Sequence, residues 1–384
     1  MPEDVRIEDQ LKQNRDLRIA QVETIILDLP IRREHKLSGL TMAHQSYLLT
    51  KITTHGGLVG YGEGVTPGGP WWSGESVETM KTLIDNYLAP AIVDLSVTNI
   101  RVASLVMDRV AARAPFAKAA IEIALWDGAA KAANLQLSDM FGGKIREGVD
   151  LRWALASGNL STDLQEIEHM MSNDLARSFK IKGGVRSAEE ELAYTAELRR
   201  ELGPDVPLQI DLNANWDRTT ALKYGPRFME LVSYLEQPLA EWDISGLAEL
   251  RAASVGIMAD ESLYTPQDAI RLAQDHAVDI FALKTMKSKG LSGLRAIGEI
   301  ASATGIDCYA GTFMESSLGI AAHLQLATTL PALTQGGELL GGLWLAEEYV
   351  EEPVTYRNGE VVVPSGQGHG MTPDPEKVRH FARA

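Results

Sequence analysis

Apolar, strand-like segments recur along this chain, and each of them ends in a charged residue. The series starts at Lys182 and continues through Asp211, Glu236, Asp260, Lys284 and Glu315, in steps of 29, 25, 24, 24 and 31 residues. A strand, a loop and a helix together occupy roughly this length in a parallel βα barrel, which gathers the C-terminal ends of its strands at one face. The spacing therefore predicts that lysines and carboxylates meet at one rim of a barrel.

The series begins in the stretch Ser178-Phe179-Lys180-Ile181-Lys182-Gly183-Gly184, which is typical of a buried strand that runs into a loop. Side chains two residues apart on a strand point to the same side, so Lys180 and Lys182 are expected to face one direction together. Taken alone, this motif fits a solvated edge strand. The charged residues that end the later segments favour a functional site instead.

The sequence pattern changes near residue 150. From there strand and helix patterns alternate, which predicts a parallel sheet, and seven or eight such units predict closure into a barrel. The part before about residue 144 is predicted to be an α+β domain. Near the C-terminus a strand pair is predicted over 354–357 and 359–364, and this segment is expected to pack on the first domain.

In the first part, strands are predicted over 18–30 and 46–53, with a polar loop over 32–43 that contains His35. The glycines of 56–63 predict a hairpin turn into a third strand. Helices are predicted over 76–87, with Ser76 as N-cap, over 98–112, and over the alanine-rich stretch 117–133. The small side chains of this last helix are expected to allow close packing.

Two adjacent tryptophans, Trp71 and Trp72, lie in a glycine- and proline-rich loop over 66–76. Large aromatic rings are costly to leave exposed in such a loop. They are expected either to pack on the core of their own domain or to close over a ligand pocket. Trp72 and His35 are therefore candidate substrate contacts from the first domain.

The formal net charge is −16 at pH 7, which argues against nucleic acid or an anionic membrane as a partner. No apolar run approaches the roughly 20 residues of a membrane span. Residues 1–18 are charged and do not resemble a secretory signal, so they are expected to be a mobile tail or an oligomer contact. The single cysteine, Cys308, is expected to be a buried, inert thiol in a cytoplasmic protein.

Asp211, Glu236 and Asp260 end three successive predicted strands. Carboxylates that meet without a cation repel one another, so they need either a metal or shifted pKa values. Because the set contains no His or Cys, it favours a hard ion such as Mg²⁺ or Mn²⁺. Lys182 and Lys284 come from the flanking strands and can approach a ligand from opposite sides. A nearby divalent cation and a second lysine are expected to disfavour their ammonium forms and to suit them to acid–base work.

Together these residues resemble the enolase superfamily, in its muconate-lactonizing subgroup. The resemblance covers nearly the whole chain after Arg18 and rests on Lys180-x-Lys182, Asp211-x-Asn213, Glu236-Gln-Pro, Asp260-Glu-Ser and Phe281-Ala-Leu-Lys284. It implies an α/β fold in which a (β/α)7β barrel, a modified TIM barrel, carries an α+β capping domain. The implied divisions are a tail over 1–18, the capping domain over 19–146, the barrel over 147–346, and a C-terminal return to the capping domain over 347–384.

Within the subgroup, the resemblance is to muconate and chloromuconate cycloisomerases. It is carried by His35-Lys36-Leu37-Ser38 with Thr41-Met42, Trp153-Ala154-Leu155-Ala156-Ser157-Gly158, Gly311-Thr312-Phe313-Met314-Glu315, Tyr356-Arg357 and Pro364-Ser365-Gly366-Gln367-Gly368. Two stretches depart from the subgroup. The residues after Lys284 lack the usual glycine pair, and the capping loop has Pro70-Trp71-Trp72 in place of smaller apolar residues and a tyrosine. Both departures are expected to affect substrate fit.

The resemblance implies metal-assisted lactonisation of cis,cis-muconate, or a chloromuconate, in aromatic degradation. One carboxylate of the substrate is the nucleophile, and the other binds Mg²⁺ or Mn²⁺ and becomes an enolate. Lys182 is assigned as the acid that protonates the α-carbon, with Lys180 stabilising the enolate and Lys284 supplying charge from the other face. Lys182 and Lys284 exchange roles if the proton arrives from the opposite face.

Two further residues receive expected roles. Glu315 is expected to hydrogen-bond to the substrate or to a neighbouring lysine, and Asn213 is a candidate substrate contact. The implied partner is a small dicarboxylate, and the implied assembly is a homo-oligomer, an octamer by the resemblance. The alternatives with the same site are an N-acylamino acid racemase, a dipeptide epimerase and an o-succinylbenzoate synthase. A non-catalytic barrel that binds a metal or a carboxylate is an alternative of another class.

Overall fold

A computed structural model describes residues 15–37 and 40–383, with the backbone alone for residues 33–37, 40, 41 and 43. The strands are β1 (Ile19–Leu37), β2 (Leu40–Thr54), β3 (Val59–Val65), β4 (Gly148–Asp150), β5 (Arg152–Leu155), β6 (Ser178–Lys182), β7 (Leu208–Asp211), β8 (Leu235–Glu236), β9 (Ile257–Ala259), β10 (Ile280–Leu283), β11 (Asp307–Ala310), β12 (Leu333–Gly337), β13 (Tyr356–Arg357) and β14 (Glu360–Val362).

The α-helices are α1 (Val77–Leu83), α2 (Ala89–Ile92), α3 (Ile100–Val110), α4 (Pro115–Ala133), α5 (Leu137–Met140), α6 (Leu160–Ser172), α7 (Ala188–Leu202), α8 (Arg218–Phe228), α9 (Ile244–Ala252), α10 (Pro266–Gln274), α11 (Leu291–Thr304), α12 (Ser317–Ala327), α13 (Gly341–Trp344) and α14 (Pro375–Phe381). A 3-10 turn spans Arg15–Leu17, and a π-helical turn spans Ile84–Leu88.

The strands from β5 to β12 form one 8-stranded sheet in which neighbours follow chain order. Each adjacent pair is parallel, and one of the helices α6 to α12 connects each strand to the next. A parallel bridge between Leu151 and Gly337 brings the first strand beside the last. The predicted (β/α)7β barrel is therefore confirmed, and it is nearly closed.

The first part of the chain forms a separate 3-stranded antiparallel sheet in the order β1-β2-β3. Its hairpin extends beyond the predicted strands, because backbone pairing continues to His35 opposite Met42 and to Leu37 opposite Leu40. The prediction of a loop over 32–43 is therefore wrong. Its polar residues suggested a loop, but hydrogen bonding between two strands uses only backbone groups and does not require apolar side chains.

Helix α4 packs directly on β3, and two glycines make this approach possible. A Cβ atom at Gly60 would lie 2.2 Å from the carbonyl oxygen of Ala124, and one at Gly62 would lie 2.1 Å from that of Ala120. Any side chain at either position would force the helix away from the sheet. The close packing expected of the alanine-rich helix is confirmed, and these glycines serve packing, whereas Gly57, with φ +84°, serves the turn.

Two buried carboxylates of the first domain contact the N-termini of two barrel helices. Glu122 on α4 accepts hydrogen bonds from the backbone N–H groups of Leu291, at 2.8 Å, and Ser292, at 3.0 Å, where α11 begins. Glu63 on β3 accepts from the N–H of Ser316 at 3.0 Å, where α12 begins. Anionic groups are stabilised at helix N-termini by the free N–H groups there. These contacts hold the capping sheet and α4 against the C-terminal rim of the barrel.

The C-terminal segment contacts both parts of the structure. Strands β13 and β14 pair around Asn358 and Gly359 and join β4 in a 3-stranded sheet. Isolated bridges join Leu345, Gly368 and Ala382 to the first domain. The domain divisions at residues 18, 146 and 346 stay predictions, and residues 1–14 of the predicted tail lie outside the described residues.

The structure bears on two expectations from composition, which concern a membrane span and the single cysteine. Within the described ranges, no helix is long and apolar enough to cross a membrane. Cys308 lies buried on β11 and forms no disulfide, as expected. Burial raises the pKa of its thiol, which disfavours the reactive thiolate.

Helix α12 is buried along its whole length and contains His323, whose two ring nitrogens have no hydrogen-bond partner among the described residues. Burial lowers the pKa of His323 from 6.5 to about 4. Between these pH values the unfolded chain binds a proton that the folded protein does not, so stability falls as the pH falls.

We expect the unfolding free energy to fall by about 2 kcal/mol between pH 7.5 and pH 5 through this group. His323→Leu should remove that part of the pH dependence, measured by urea unfolding at both pH values. The same pH dependence in wild type and variant would contradict this prediction.

Candidate active site

The predicted rim residues lie at the C-terminal ends of adjacent barrel strands. Lys182 at the end of β6 is opposite Asp211 on β7, and Asp211 is opposite Glu236 on β8. Asp260 directly follows β9, and Lys284 directly follows β10. The sheet order places the carboxylate-bearing strands between the two lysine-bearing strands. The structure thus brings these predicted residues together as the spacing indicated.

On the β6 side of the site, two lysines share one carboxylate. Lys180 is fully buried and contacts Glu236 at 2.8 Å, and it also contacts Glu338 in a shorter ion pair. The ammonium of Lys182 lies 3.0 Å from Asp211 and 3.5 Å from Glu338. Lys180 and Lys182 therefore point to the same side of their strand, into the barrel, as predicted.

On the other side, Asp260 binds two lysines. Its Oδ2 lies 2.5 Å from the ammonium of Lys284, and its Oδ1 lies 2.6 Å from that of Lys287. Lys287 also donates a hydrogen bond of 2.7 Å to the backbone carbonyl of Asp260. Five of the strand-end residues therefore lie within ion-pair distance of a partner of opposite sign, namely Lys182, Asp211, Glu236, Asp260 and Lys284.

Two residues of these networks, Glu338 and Lys287, were not identified from the sequence. Glu338 directly follows β12, 23 residues after Glu315, so the spacing of the series continues to it. That regular step was the signal for Glu338. Lys287 lies in the stretch after Lys284 that departs from the muconate-lactonizing pattern, and no spacing rule distinguishes it from Lys289, which instead pairs with Asp108 at 2.6 Å.

The carboxylates determine the direction of the lysine pKa shifts. Burial acts to lower the pKa values of Lys180, Lys182 and Lys284, but the charges of their carboxylate partners outweigh it and raise all three pKa values. Glu338, which the sequence did not identify, adds negative charge beside two of these lysines. That a divalent cation disfavours the ammonium forms of Lys182 and Lys284 stays a prediction.

The carboxylates respond in two ways. Burial acts to raise the pKa of Asp260, but Lys284 and Lys287 lower it overall. Burial and the charge of Asp211 raise the pKa of Glu236, and burial and the charge of Asp260 raise the pKa of Glu261 to about 8. The site therefore holds carboxylates that are stabilised as anions beside others for which negative charge is costly, which is the condition a cation relieves.

The donor set of the site fits a hard cation. Glu236 Oε1 and Glu261 Oε2 are buried and have no hydrogen-bond partner among the described residues. Uncompensated buried oxygens of this kind are costly and suit a divalent ion. Within residues 15–37 and 40–383, however, no three or more His, Cys, Asp or Glu side chains are arranged as a metal site. The ammonium groups of Lys182 and Lys284 lie beside Asp211 and Asp260.

Glu315 is fully buried in the loop between β11 and α12. Its Oε2 accepts hydrogen bonds from the hydroxyl of Thr312, at 2.5 Å, and from the backbone N–H of Phe313, at 2.8 Å. Glu315 therefore stabilises its own loop, and no hydrogen bond to a lysine is present among the described residues. Its Oε1 has no hydrogen-bond partner in the described part of the chain, so a contact with substrate stays a prediction.

Trp72 reaches from the first domain to the barrel rim. Its ring lies edge-on to Phe313 with centroids 4.5 Å apart, and 5.8 Å from the ring of Tyr264. The ammonium of Lys284 lies 5.4 Å from the centroid of the Trp72 ring, within cation–π distance. The ring also packs on Phe116 of α4, with centroids 6.4 Å apart, so Trp72 contacts its own domain as well as the charged site. Its closing over a ligand pocket stays a prediction. Its neighbour Trp71 is 44% exposed.

The other two candidate substrate contacts have different outcomes. The amide of Asn213 donates to Asp211 Oδ2 and to Glu261 Oε1, both at 3.3 Å, so it links two carboxylates of the site. Its φ of +42° is strained for a residue other than glycine, and such strain is often found at functional sites. The side chain of His35 lies outside the described residues, so its role stays a prediction.

Nearly the whole chain is similar to known proteins. Residues 21–142 match the mandelate racemase / muconate lactonizing enzyme N-terminal domain, and residues 163–378 match the enolase C-terminal domain-like family. Muconate cycloisomerase 1 of Rhodococcus opacus is 40% identical over 370 residues, which cover 96% of this chain and 99% of that protein.

Solved structures agree with the sequence relatives. The muconate lactonizing enzyme of Pseudomonas fluorescens, complexed with muconolactone, has a TM-score of 0.93 at 34% identity and matches 96% of this chain and 100% of its own. The 2-chloromuconate cycloisomerase of Rhodococcus opacus 1CP has a TM-score of 0.93 at 41% identity, with the same shares of the two chains matched. The chain therefore belongs to the mandelate racemase / muconate lactonizing enzyme family of the enolase superfamily.

Proposed function

We propose that this chain is a muconate or chloromuconate cycloisomerase that converts cis,cis-muconate, or a chlorinated analogue, into the corresponding muconolactone. The observation that carries the proposal is a site with lysines on both sides of a carboxylate cluster, in a chain 40% identical over 370 residues to a muconate cycloisomerase. The reaction is an isomerisation, since one carboxylate of the substrate adds to its own diene and a proton is delivered to the α-carbon.

Asp211, Glu236 and Asp260 are the residues that would hold a divalent cation, because they end adjacent strands and offer only oxygen atoms. Muconate cycloisomerases of this superfamily depend on a divalent metal, and we propose Mg²⁺ or Mn²⁺ here. When bound, the cation would supply positive charge that stabilises the negative charge developing on the substrate carboxylate.

Lys182 is the proposed acid, since its side chain is 19% exposed whereas that of Lys180 is fully buried. A proton donor must reach the carbon that it protonates. Lys180, held between Glu236 and Glu338, adds fixed positive charge behind that position. Lys284 would supply charge from the opposite side, where the rings of Trp72 and Phe313 limit access of water.

The proposed activity is tested by following the loss of ultraviolet absorption of cis,cis-muconate and of chloromuconates with the purified protein and Mn²⁺. Parallel assays would measure racemisation of N-acylamino acids, epimerisation of dipeptides and formation of o-succinylbenzoate. We expect lactonisation to exceed the other activities by orders of magnitude. Racemisation or epimerisation without lactonisation would contradict the proposal, and so would metal binding with no turnover of any substrate.

Trp72→Ala should raise the KM for muconate or change the preference between muconate and chloromuconates, because the ring covers the Lys284 side of the site. Trp71→Ala is the matched control, since that neighbouring ring is exposed and donates to the carbonyl of Pro67. Steady-state kinetics and thermal unfolding of both variants show whether Trp72 covers the site or stabilises the core of its domain. A large loss of thermal stability in Trp72→Ala with wild-type kinetics would make Trp72 a core residue.

The resemblance also supports a homo-oligomer, an octamer, located in the cytoplasm, and we retain both as proposals. The described surface includes exposed large apolar residues, among them Trp242 at 76% and Val185 at 68% exposure. Sedimentation velocity at several protein concentrations measures the assembly directly.

A further inference from the structure

A second polar cluster lies inside the barrel, beneath the rim, and the proposed reaction does not use it. It consists of Arg152 on β5, Gln209 on β7, Tyr234 just before β8 and Tyr309 on β11, all of them buried. The guanidinium of Arg152 lies 5.6 Å from the ring centroid of Tyr234 and 5.9 Å from that of Tyr309, so both rings contact the cation. Gln209 connects this cluster to the site above it.

The orientation of the Gln209 amide is determined by its neighbours. Its Oε1 accepts a hydrogen bond of 2.6 Å from Arg152 and a second hydrogen bond from the Tyr234 hydroxyl. A guanidinium can only donate, so the amide oxygen must lie on the side of Arg152. The NH2 group must therefore face the other way, and it donates to Glu236 Oε2 at 3.2 Å.

This hydrogen bond makes the two oxygens of Glu236 different. Oε2 receives both the Gln209 amide and the ammonium of Lys180, which lies 2.8 Å away. Oε1 is buried and, in the described part of the structure, accepts no hydrogen bond. The carboxylate is thus held by one oxygen while the other is left for a ligand.

We infer that Gln209 is a positioning residue that, held by Arg152 and Tyr234, turns Glu236 so that its Oε1 is presented to a divalent cation. The inference rests on the proposed metal role of Glu236 and extends it to a residue that touches neither metal nor substrate. Groups that hydrogen-bond to a metal-binding side chain fix its orientation, and replacing them typically lowers metal affinity about 10- to 100-fold.

The test measures Mn²⁺ affinity, by electron paramagnetic resonance of free Mn²⁺, on metal-depleted wild type and variants. Gln209→Met keeps the side-chain length but removes the amide, and we expect about 10- to 100-fold weaker Mn²⁺ binding. Tyr234→Phe removes one of the two donors that orient the amide, and we expect about 2- to 10-fold weaker binding. The kcat should fall less than the affinity once Mn²⁺ is saturating.

Tyr309→Phe is the matched control. Tyr309 belongs to the same interior cluster and contacts Arg152 and Lys180 through its ring, but its hydroxyl has no hydrogen-bond partner in the described residues. Its replacement by Phe should leave Mn²⁺ affinity unchanged. Adding Tyr234→Phe to Gln209→Met should cause no further loss of affinity, because Tyr234 acts through the amide that is already absent.

Each outcome decides the inference. Equal Mn²⁺ affinity in wild type and Tyr234→Phe would overturn it, even if Gln209→Met does not fold. Equal weakening by Tyr309→Phe would also overturn it, because loss of packing in the cluster would then explain the effect. Absence of Mn²⁺ binding to the wild type would instead refute the proposed metal site, and the inference with it.

Discussion

Lys182→Ala and Lys284→Ala should each lower the rate of lactonisation by several orders of magnitude, with the fold intact. Loss of a general acid typically costs roughly 10²–10⁴-fold, and loss of electrostatic stabilisation adds to it. The fold should survive because Glu338 retains Lys180 and Asp260 retains Lys287. Asp211, which loses its lysine in Lys182→Ala, keeps the hydrogen bonds from the backbone N–H and the amide of Asn213. The measurements are kcat and KM with cis,cis-muconate, and circular dichroism of both variants.

Lys289→Ala is the matched control for both lysine variants. Lys289 lies five residues after Lys284 but pairs with Asp108 on α3, away from the carboxylates of the rim. It should retain wild-type rates. In deuterated solvent the lactone should carry deuterium on one face only, which identifies the side of protonation. Near wild-type rates in Lys182→Ala, with Lys284→Ala inactive, would assign the acid to Lys284.

Exhaustive chelation should abolish turnover, and addition of Mg²⁺ or Mn²⁺ should restore it. The expectation follows from the oxygen-only donor set and from the buried carboxylate oxygens without partners. Asp260→Asn should weaken Mn²⁺ binding severely, since it removes the negative charge that Lys284 and Lys287 now neutralise. Metal titration followed by activity and by Mn²⁺ resonance measures both effects.

Glu261→Gln provides the comparison for the ligand assignment. Glu261 adjoins Asp260 in sequence, is half-buried and also has a buried oxygen without a hydrogen-bond partner in the described residues. We expect Glu261→Gln to retain most of the Mn²⁺ affinity of the wild type, whereas Asp260→Asn should lose most of it. If Glu261→Gln lost the metal and Asp260→Asn kept it, the ligand set would include Glu261 in place of Asp260. Full activity in metal-free protein would end the metal proposal altogether.

The two charge networks suggest how the site tolerates so many buried ions. Most ionised groups at the rim lie within ion-pair distance of an opposite charge, and the pairs share members, as Glu338 does with Lys180 and Lys182. Breaking a buried pair is usually far more costly than forming it is favourable. Glu338→Gln removes the negative charge that Lys180 and Lys182 share, so it should destabilise the site even though no catalytic role is assigned to Glu338.

The sequence by itself determined the barrel and most of the residues at its rim. The βα unit has a nearly constant length, and parallel strands all end at one face, so the spacing from Lys182 to Lys284 was enough to bring those residues together. The two-residue period of a strand placed Lys180 and Lys182 on one side. These features repeat locally along the chain, so they are visible without knowledge of the packing.

Only the tertiary structure decided which charges meet. The ion pair of Lys180 with Glu338 joins residues 158 positions apart, across the gap where the barrel closes. The spacing series extends to Glu338, but no local pattern indicates that it pairs with Lys180. The same is true of Trp72 over Lys284, and of Gln209 beneath Glu236. The direction of the lysine pKa shifts followed from these partners, because the balance between burial and opposing charge depends on distances of a few ångströms that only the folded chain sets.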